Sequence, residues 1–138
     1  MRVLLQRVRN AHVEIAGEIA GEIDHGLLIF LAVYPDDGEA QVRWLLDKLL
    51  GLRVFADEGG KMNLSVQDVH GGVLLVSQFT LAGDARRGRR PGFSAAAPPA
   101  LAERLTRTSL PSCAGCIPKS PRAGSVLICR FISSTMGR

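Results

Sequence analysis

Apolar and polar positions alternate over the first part of the chain. Met1 to Val8 places Val3, Leu5 and Val8 among Arg2, Gln6 and Arg7, which predicts a strand. His12–Ile15 and Glu18–Ile23 flank Ala16-Gly17, and Val13, Ile15, Ile19 and Ile23 alternate with polar or small residues. That pattern predicts a hairpin with a glycine turn. Leu27 to Val33 is a continuous apolar run, fit for a buried strand. The period then changes. After Pro35-Asp36-Asp37-Gly38, residues Val42, Leu45, Leu46, Leu49 and Leu50 repeat at helical spacing. The two carboxylates suit the positive end of that helix, and Gly51 suits its stop. Leu52 to Ala56 predicts a short strand, Asp57 to Gly60 a turn, and Lys61 to Val66 a path to Gly71-Gly72. Val73 to Ser77 predicts another buried strand, running into Gln78-Phe79-Thr80-Leu81. Gly83 to Ser94 reads as a glycine- and arginine-rich loop, and Ala95 to Thr108 as a second helix after Pro98-Pro99. From Ser109 to Gly124 the pattern is irregular, and Val126 to Ile132 reads as a strand.

These elements predict one α/β domain without repeats. The 138 residues are 46% hydrophobic and 22% charged, enough for a real core and unlike a disordered polyelectrolyte. The net charge of +4 permits an anionic partner such as RNA without requiring one. Met1 to Ile15 carries Arg2, Arg7 and Arg9 and no continuous apolar stretch, so no secretion signal is expected there. The longest apolar run is strand-sized, whereas a spanning helix needs roughly 20 apolar residues. The expectation is a cytoplasmic protein with no membrane partner. Cys113, Cys116 and Cys129 all lie in the last quarter, an arrangement that argues against a disulfide framework.

Two segments carry candidate chemistry. Ser77, Gln78, Phe79 and Thr80 stand at the end of an apolar strand, where α/β scaffolds place reactive groups. Thr80 could act as nucleophile or donor, and Gln78 could orient a carbonyl. A hydroxyl nucleophile needs a base, and no histidine lies close in sequence. Backbone N–H groups at the strand end are the other source of oxyanion stabilisation. Arg86, Arg87, Arg89 and Arg90 surround Gly88 just before Phe93. Guanidiniums with an aromatic nearby suit phosphate contact and base stacking, but a solvated basic loop reads the same way. His12, His25 and His70 show no metal-ligand spacing. Cys113-Ala114-Gly115-Cys116 is half of a zinc or redox pattern, with no second half in sequence.

Several ordered motifs resemble the D-aminoacyl-tRNA deacylases. Met1-Arg2 with Gln6-Arg7-Val8 resembles their opening strand; Gly21-Glu22-Ile23 and Gly26-Leu27-Leu28 resemble the next elements. Gly60-Lys61-Met62-Asn63-Leu64 and Ser77-Gln78-Phe79-Thr80-Leu81 match family motifs, as do Arg87, Gly88, Arg90, Pro91, Phe93 and Ser94. The resemblance covers roughly Met1 to Leu105. It implies a curved or barrel-like, mainly antiparallel sheet with two flanking helices, assembled as a homodimer. It implies hydrolysis of the ester between a D-amino acid and tRNA, with no metal or organic cofactor. It implies Thr80, Gln78, Phe79 and Ser77 at the chemistry, and Arg7, Met62, Arg86, Arg87, Arg89, Arg90 and Phe93 toward tRNA. In one family reading Thr80 is the nucleophile. In another, backbone amides and the 2′-hydroxyl of the tRNA do the work, and the absence of an apparent base favours the latter.

The resemblance ends with the body, residues 1–108. The family's Asn-x-Gly-Pro-Val-Thr motif is absent from residues 109–138. Its cis Gly-Pro bond reaches the partner's site in the family and excludes L-amino acids there; Pro91-Gly92 comes in the wrong order. Suitable codons for Ala123 to Arg138, shifted in frame, encode Gly-Arg-Phe-Gly-Ala-Asp-Met-Gln-Val-His-Leu-Val-Asn-Asp-Gly-Pro, the missing family terminus. The expectation is a frameshifted tail, with the shift near Thr106. A catalytically inactive tRNA-binding remnant is the alternative, and a zinc or redox module on Cys113 and Cys116 a third.

Overall fold

The computed structural model describes residues 1–86, 88–109 and, for the backbone, 126–130. Arg2–Val8 (β1), Ala11–Ile15 (β2), Glu18–Ile23 (β3) and Gly26–Ala32 (β4) lead into helix Glu39–Gly51 (α1). Phe55–Ala56 (β5), Met62–Leu64 (β6) and Gly72–Ser77 (β7) follow, then helix Pro99–Thr108 (α2) and strand Val126–Arg130 (β8). A four-stranded sheet runs in the order β1-β4-β7-β8, with β4 and β7 parallel and the two outer pairs antiparallel. Two-stranded ribbons β2-β3 and β5-β6 complete the strands. This is the expected α/β class with mostly antiparallel pairing and two helices. Among the described residues the main sheet is open and no barrel closes.

The alternation of β4 and β7 sorts side chains between two faces, because successive strand residues point opposite ways. Leu27, Ile29, Leu31, Val73 and Leu75 join Val42 and Leu49 of α1 and Leu105 of α2 in the larger core. Leu74 faces the other way and packs with Ala20 and Ile23 of the hairpin, alongside Leu28 and Val76. A strand covered on both faces has no reason to show polar positions, which explains the unbroken apolar runs.

Local chemistry explains where elements begin and end. Ala16 and Gly17 both have positive φ, 52° and 83°, the combination a tight two-residue hairpin turn requires. In α1, the Gln41 side chain accepts a hydrogen bond from the Gly38 N–H at 3.0 Å. Asp37 does not serve the helix end as expected. It turns back, accepting from the Tyr34 N–H and pairing with the Met1 ammonium, each at 2.7 Å. Gly51 is the last helical residue rather than a left-handed cap; Leu52 follows in extended conformation. The strand expected over Leu52–Ala56 shrinks to two residues, because the Val54 N–H turns onto the Leu52 carbonyl. Likewise α2 starts at Pro99, not Ala95. The Ala97 N–H is donated to the Val33 carbonyl at 2.9 Å, holding that stretch against β4, and prolines are tolerated only in the first helical turn. The expected strand near Val126 is present. Residues 110–125 and 131–138 of the tail lie outside the described residues. No helix among those described is long and apolar enough to cross a membrane.

Gly26 and Gly72 sit opposite each other where the parallel pair starts. A Cβ on Gly26 would collide with the Gly72 carbonyl oxygen, a backbone atom with nowhere to go. Gly26→Ala should therefore destabilise the fold by about 3 kcal/mol or more. Urea denaturation checks this, and a loss below ~1 kcal/mol would show that the sheet adjusts.

Candidate active site

The parallel pairing brings the C-terminal ends of β4 and β7 together, with Leu31 beside Ser77. The ladder continues one step, as the Gln78 N–H donates to the Leu31 carbonyl at 2.7 Å. The chain then coils into a 3₁₀ turn, Phe79–Ala82, closed by Leu81 N–H to Gln78 carbonyl and followed by Gly83 N–H to Thr80 carbonyl. The amides of Phe79 and Thr80 open this turn and have no partner among the described residues, as expected of the first donors of any helical segment. Gln78 donates its side-chain N–H to the Thr80 hydroxyl oxygen. A donated hydrogen bond withdraws electron density from that oxygen. A carboxamide is also no base in either orientation of its O and N, so Gln78 cannot activate Thr80.

Beside the turn lies a cavity of about 590 Å³. Ser77 and Phe79 line it from the strand end, Phe93 from the following loop, Ala97 from just before α2, and Ala102 and Glu103 from α2. The wall is mostly apolar. Phe79 is 57% exposed and meets Phe93 edge-on, with ring centroids 5.4 Å apart. Gly83 allows this approach, since a Cβ there would stand 3.0 Å from the Phe93 ring. Gln78 and Thr80 stand on the turn next to the cavity without lining it, and the Thr80 side is exposed. Glu103 is the one carboxylate on the wall, and it accepts from Arg107 Nε and Nη2 at 3.1 and 2.9 Å.

The arginine loop divides by role. Asp84 and Gly92 exchange backbone hydrogen bonds of 2.8 Å, pinching the loop at its base. Arg86 closes a bidentate pair on Asp84, with Nε at 2.9 Å and Nη2 at 2.7 Å. Its charge is shared locally. The Arg86 guanidinium, helped by the Arg86 backbone N–H, holds the Asp84 carboxyl far below the usual carboxylate range. Arg89 and Arg90 are exposed. Arg87 lies outside the described residues.

Arg7 and Met62 do not join this constellation within one chain. Arg7 pairs with Leu27, at the level of Val73, four residues from Ser77. That is about 13 Å away along the strands. The Arg7 guanidinium donates to the Val54 carbonyl at 2.8 Å, and Met62, 64% exposed, lies on β6. Among the described residues no three His, Cys, Asp or Glu side chains converge as a metal site. Cys113 and Cys116 lie outside those residues. Sequence reasoning missed Ala97, Ala102 and Glu103 because they belong to a helix start far along the chain. Their signal was the Pro98-Pro99 pair, which fixes where that helix begins.

A family model described as D-Tyr-tRNA(Tyr) deacylase matches residues 4–123. The chain belongs to this family. A protein of Pseudomonas putida named D-aminoacyl-tRNA deacylase is 65% identical over 105 residues, covering 76% of this chain and 72% of the relative. One of the same name from Pseudomonas fluorescens is 62% identical over the same shares. Among solved structures, a c-Myc DNA unwinding element binding protein superposes with a TM-score of 0.75 at 36% identity, covering 80% of this chain and 74% of that one. A probable eukaryotic D-amino acid tRNA deacylase has a TM-score of 0.62 at 20% identity, over 78% and 65% of the two chains, a likeness of fold.

The Asp84–Arg86 pair makes a prediction about pH. A folded-state pKa below the ordinary value of 3.8 adds stability that is present above that pH and lost as pH falls. An NMR titration should show the Asp84 carboxyl ionised well below pH 3.8, and Arg86→Ala should move its midpoint back up toward that value. A wild-type midpoint near 3.8 would mean that the pair does not persist in solution.

Proposed function

We propose that the chain hydrolyses the ester bond of D-aminoacyl-tRNA, releasing free D-amino acid and tRNA. Its membership of the deacylase family, at 65% identity to an enzyme of that name, carries the reading. The alternative of an inactive tRNA-binding remnant finds no support in these relatives, which are named as enzymes. The reading places the enzyme in the cytoplasm, where tRNA is charged.

In this mechanism water adds to the ester carbonyl carbon. The oxyanion that forms is met by the Phe79 and Thr80 amides, which lack internal partners among the described residues. Collapse expels the ribose oxygen, and the neighbouring ribose hydroxyl passes it the proton taken from water. Ser77 and Gln78 hold the turn in place, and the Phe79–Phe93 pair borders the space for the terminal residue of the substrate. Arg86, Arg87, Arg89, Arg90 and Phe93 face the RNA, with Arg7 and Met62 completing the contacts from the far end of the sheet. No metal or organic cofactor enters these steps.

The reading includes a homodimer with a strongly curved sheet. Two features support it. Among the described residues β1 pairs only with β4, leaving an open strand edge on which Leu4 is 51% exposed. The β2-β3 hairpin also folds over β7 and β8 rather than extending the sheet. Residues 109–138 are read as a tail translated out of frame after the 1–108 body.

The primary test is release of D-tyrosine from D-tyrosyl-tRNA against the L-form. Hydrolysis of the D-ester alone is expected, and no hydrolysis of either would overturn the function. Thr80→Ala should retain activity within about tenfold if its hydroxyl only positions. A fall beyond about a thousandfold would make that oxygen the nucleophile. The gene sequence across Leu105 to Thr108 should show a frame whose continuation encodes Asn-Asp-Gly-Pro. An intact frame through Cys113 and Cys116, shared with near relatives, would end the frameshift reading.

A further inference from the structure

A second cleft, of about 570 Å³, opens on the other side of the same turn. It is lined by Arg2, Tyr34, Ala82, Gly83, Asp84 and Arg86. Arg2 is held in place: its Nη1 donates to the Leu81 carbonyl at 2.6 Å, one residue beyond Thr80. Its guanidinium lies 6.0 Å from the centre of the Tyr34 ring. Arg86, fixed by Asp84, lines the same cleft. Among the described residues Asp84 is the sole carboxylate lining the cleft and is already paired, while Arg2 has no ion-pair partner. A tyrosine ring and two guanidiniums lining one cleft are suited to a nucleobase with its phosphate.

We infer that this cleft is a nucleotide subsite for single-stranded RNA, taking the nucleotide that precedes the esterified adenosine. The inference rests on the reading of the chain as a deacylase of charged tRNA, and extends it to how the 3′ end is led to the turn. Tyr34 supplies the stacking surface and Arg2 the phosphate contact. Because Arg2 is anchored to Leu81, occupation of this cleft also fixes the turn that carries the Phe79 and Thr80 amides. Tyr34 is a specificity determinant and touches no reacting atom.

The ratio of kcat/KM for D-tyrosyl-tRNA to that for D-tyrosyl-adenosine, which lacks the preceding nucleotide, isolates the subsite. Tyr34→Ala should lower this ratio by about tenfold through KM, the order expected when one base loses its aromatic partner. Tyr34→Phe should restore it. A ratio that does not change in Tyr34→Ala, whether both constants fall together or neither falls, overturns the subsite. If the wild-type protein hydrolyses neither ester, the proposed function fails separately. Binding of a short RNA ending in the tRNA 3′ sequence then decides: a tenfold weakening in Tyr34→Ala supports the subsite, and unchanged affinity removes it.

Discussion

The parallel pairing of β4 with β7 is the constraint on which the rest depends. It starts at Gly26 and Gly72, where two backbones approach too closely for any side chain between them. That contact sets the register, and the register sets which strand ends meet. Leu31 and Ser77 finish side by side, and one further backbone bond carries the ladder to Gln78. The chain can then leave the sheet only by turning. The turn frees the amides of Phe79 and Thr80, as the start of any helical segment must. A slip of one residue would turn Leu74 toward the helices and Leu75 away from them, losing both cores at once.

Packing around this strand end produces two spaces with different characters. On the α2 side, Phe79, Phe93, Ala97 and Ala102 make an apolar cavity. Its floor stays in place because the Ala97 N–H is tied to Val33, immediately beyond β4. On the β1 side, Arg2, Tyr34 and Arg86 make a polar cleft. The segment from Ala82 to Asp84 connects the two. Its geometry is held by the Asp84–Gly92 bridge and the contact of Gly83 with Phe93. Among the described residues Glu103 is the only carboxylate on the apolar wall, and it is engaged by Arg107.

Basic residues in one loop do not act as one patch. Arg86 is consumed by Asp84, two positions away, whereas Arg89 and Arg90 extend into solvent. Arg2, unremarkable in the opening strand, reaches the turn because β1 runs antiparallel to β4 and begins beside the turn. The same antiparallel course carries Arg7 to the opposite end of the sheet. Two arginines five positions apart on one strand therefore meet different surroundings.

The chain's own pattern determined most of the elements. Alternation gave β1 and the hairpin, continuous apolar runs gave β4 and β7, and helical spacing gave α1, since burial on one face or two leaves a local signature. The candidate turn was legible too, because Ser77 to Leu81 is contiguous. What the pattern could not determine was every feature made by residues distant in sequence. The Ala97–Val33 bond moved the start of α2, the Met1–Asp37 pair drew a carboxylate away from α1, and the Leu81 carbonyl captured Arg2. Tertiary structure alone decided these, because a hydrogen bond or ion pair depends on which groups the fold brings within reach, and no local periodicity records that distance.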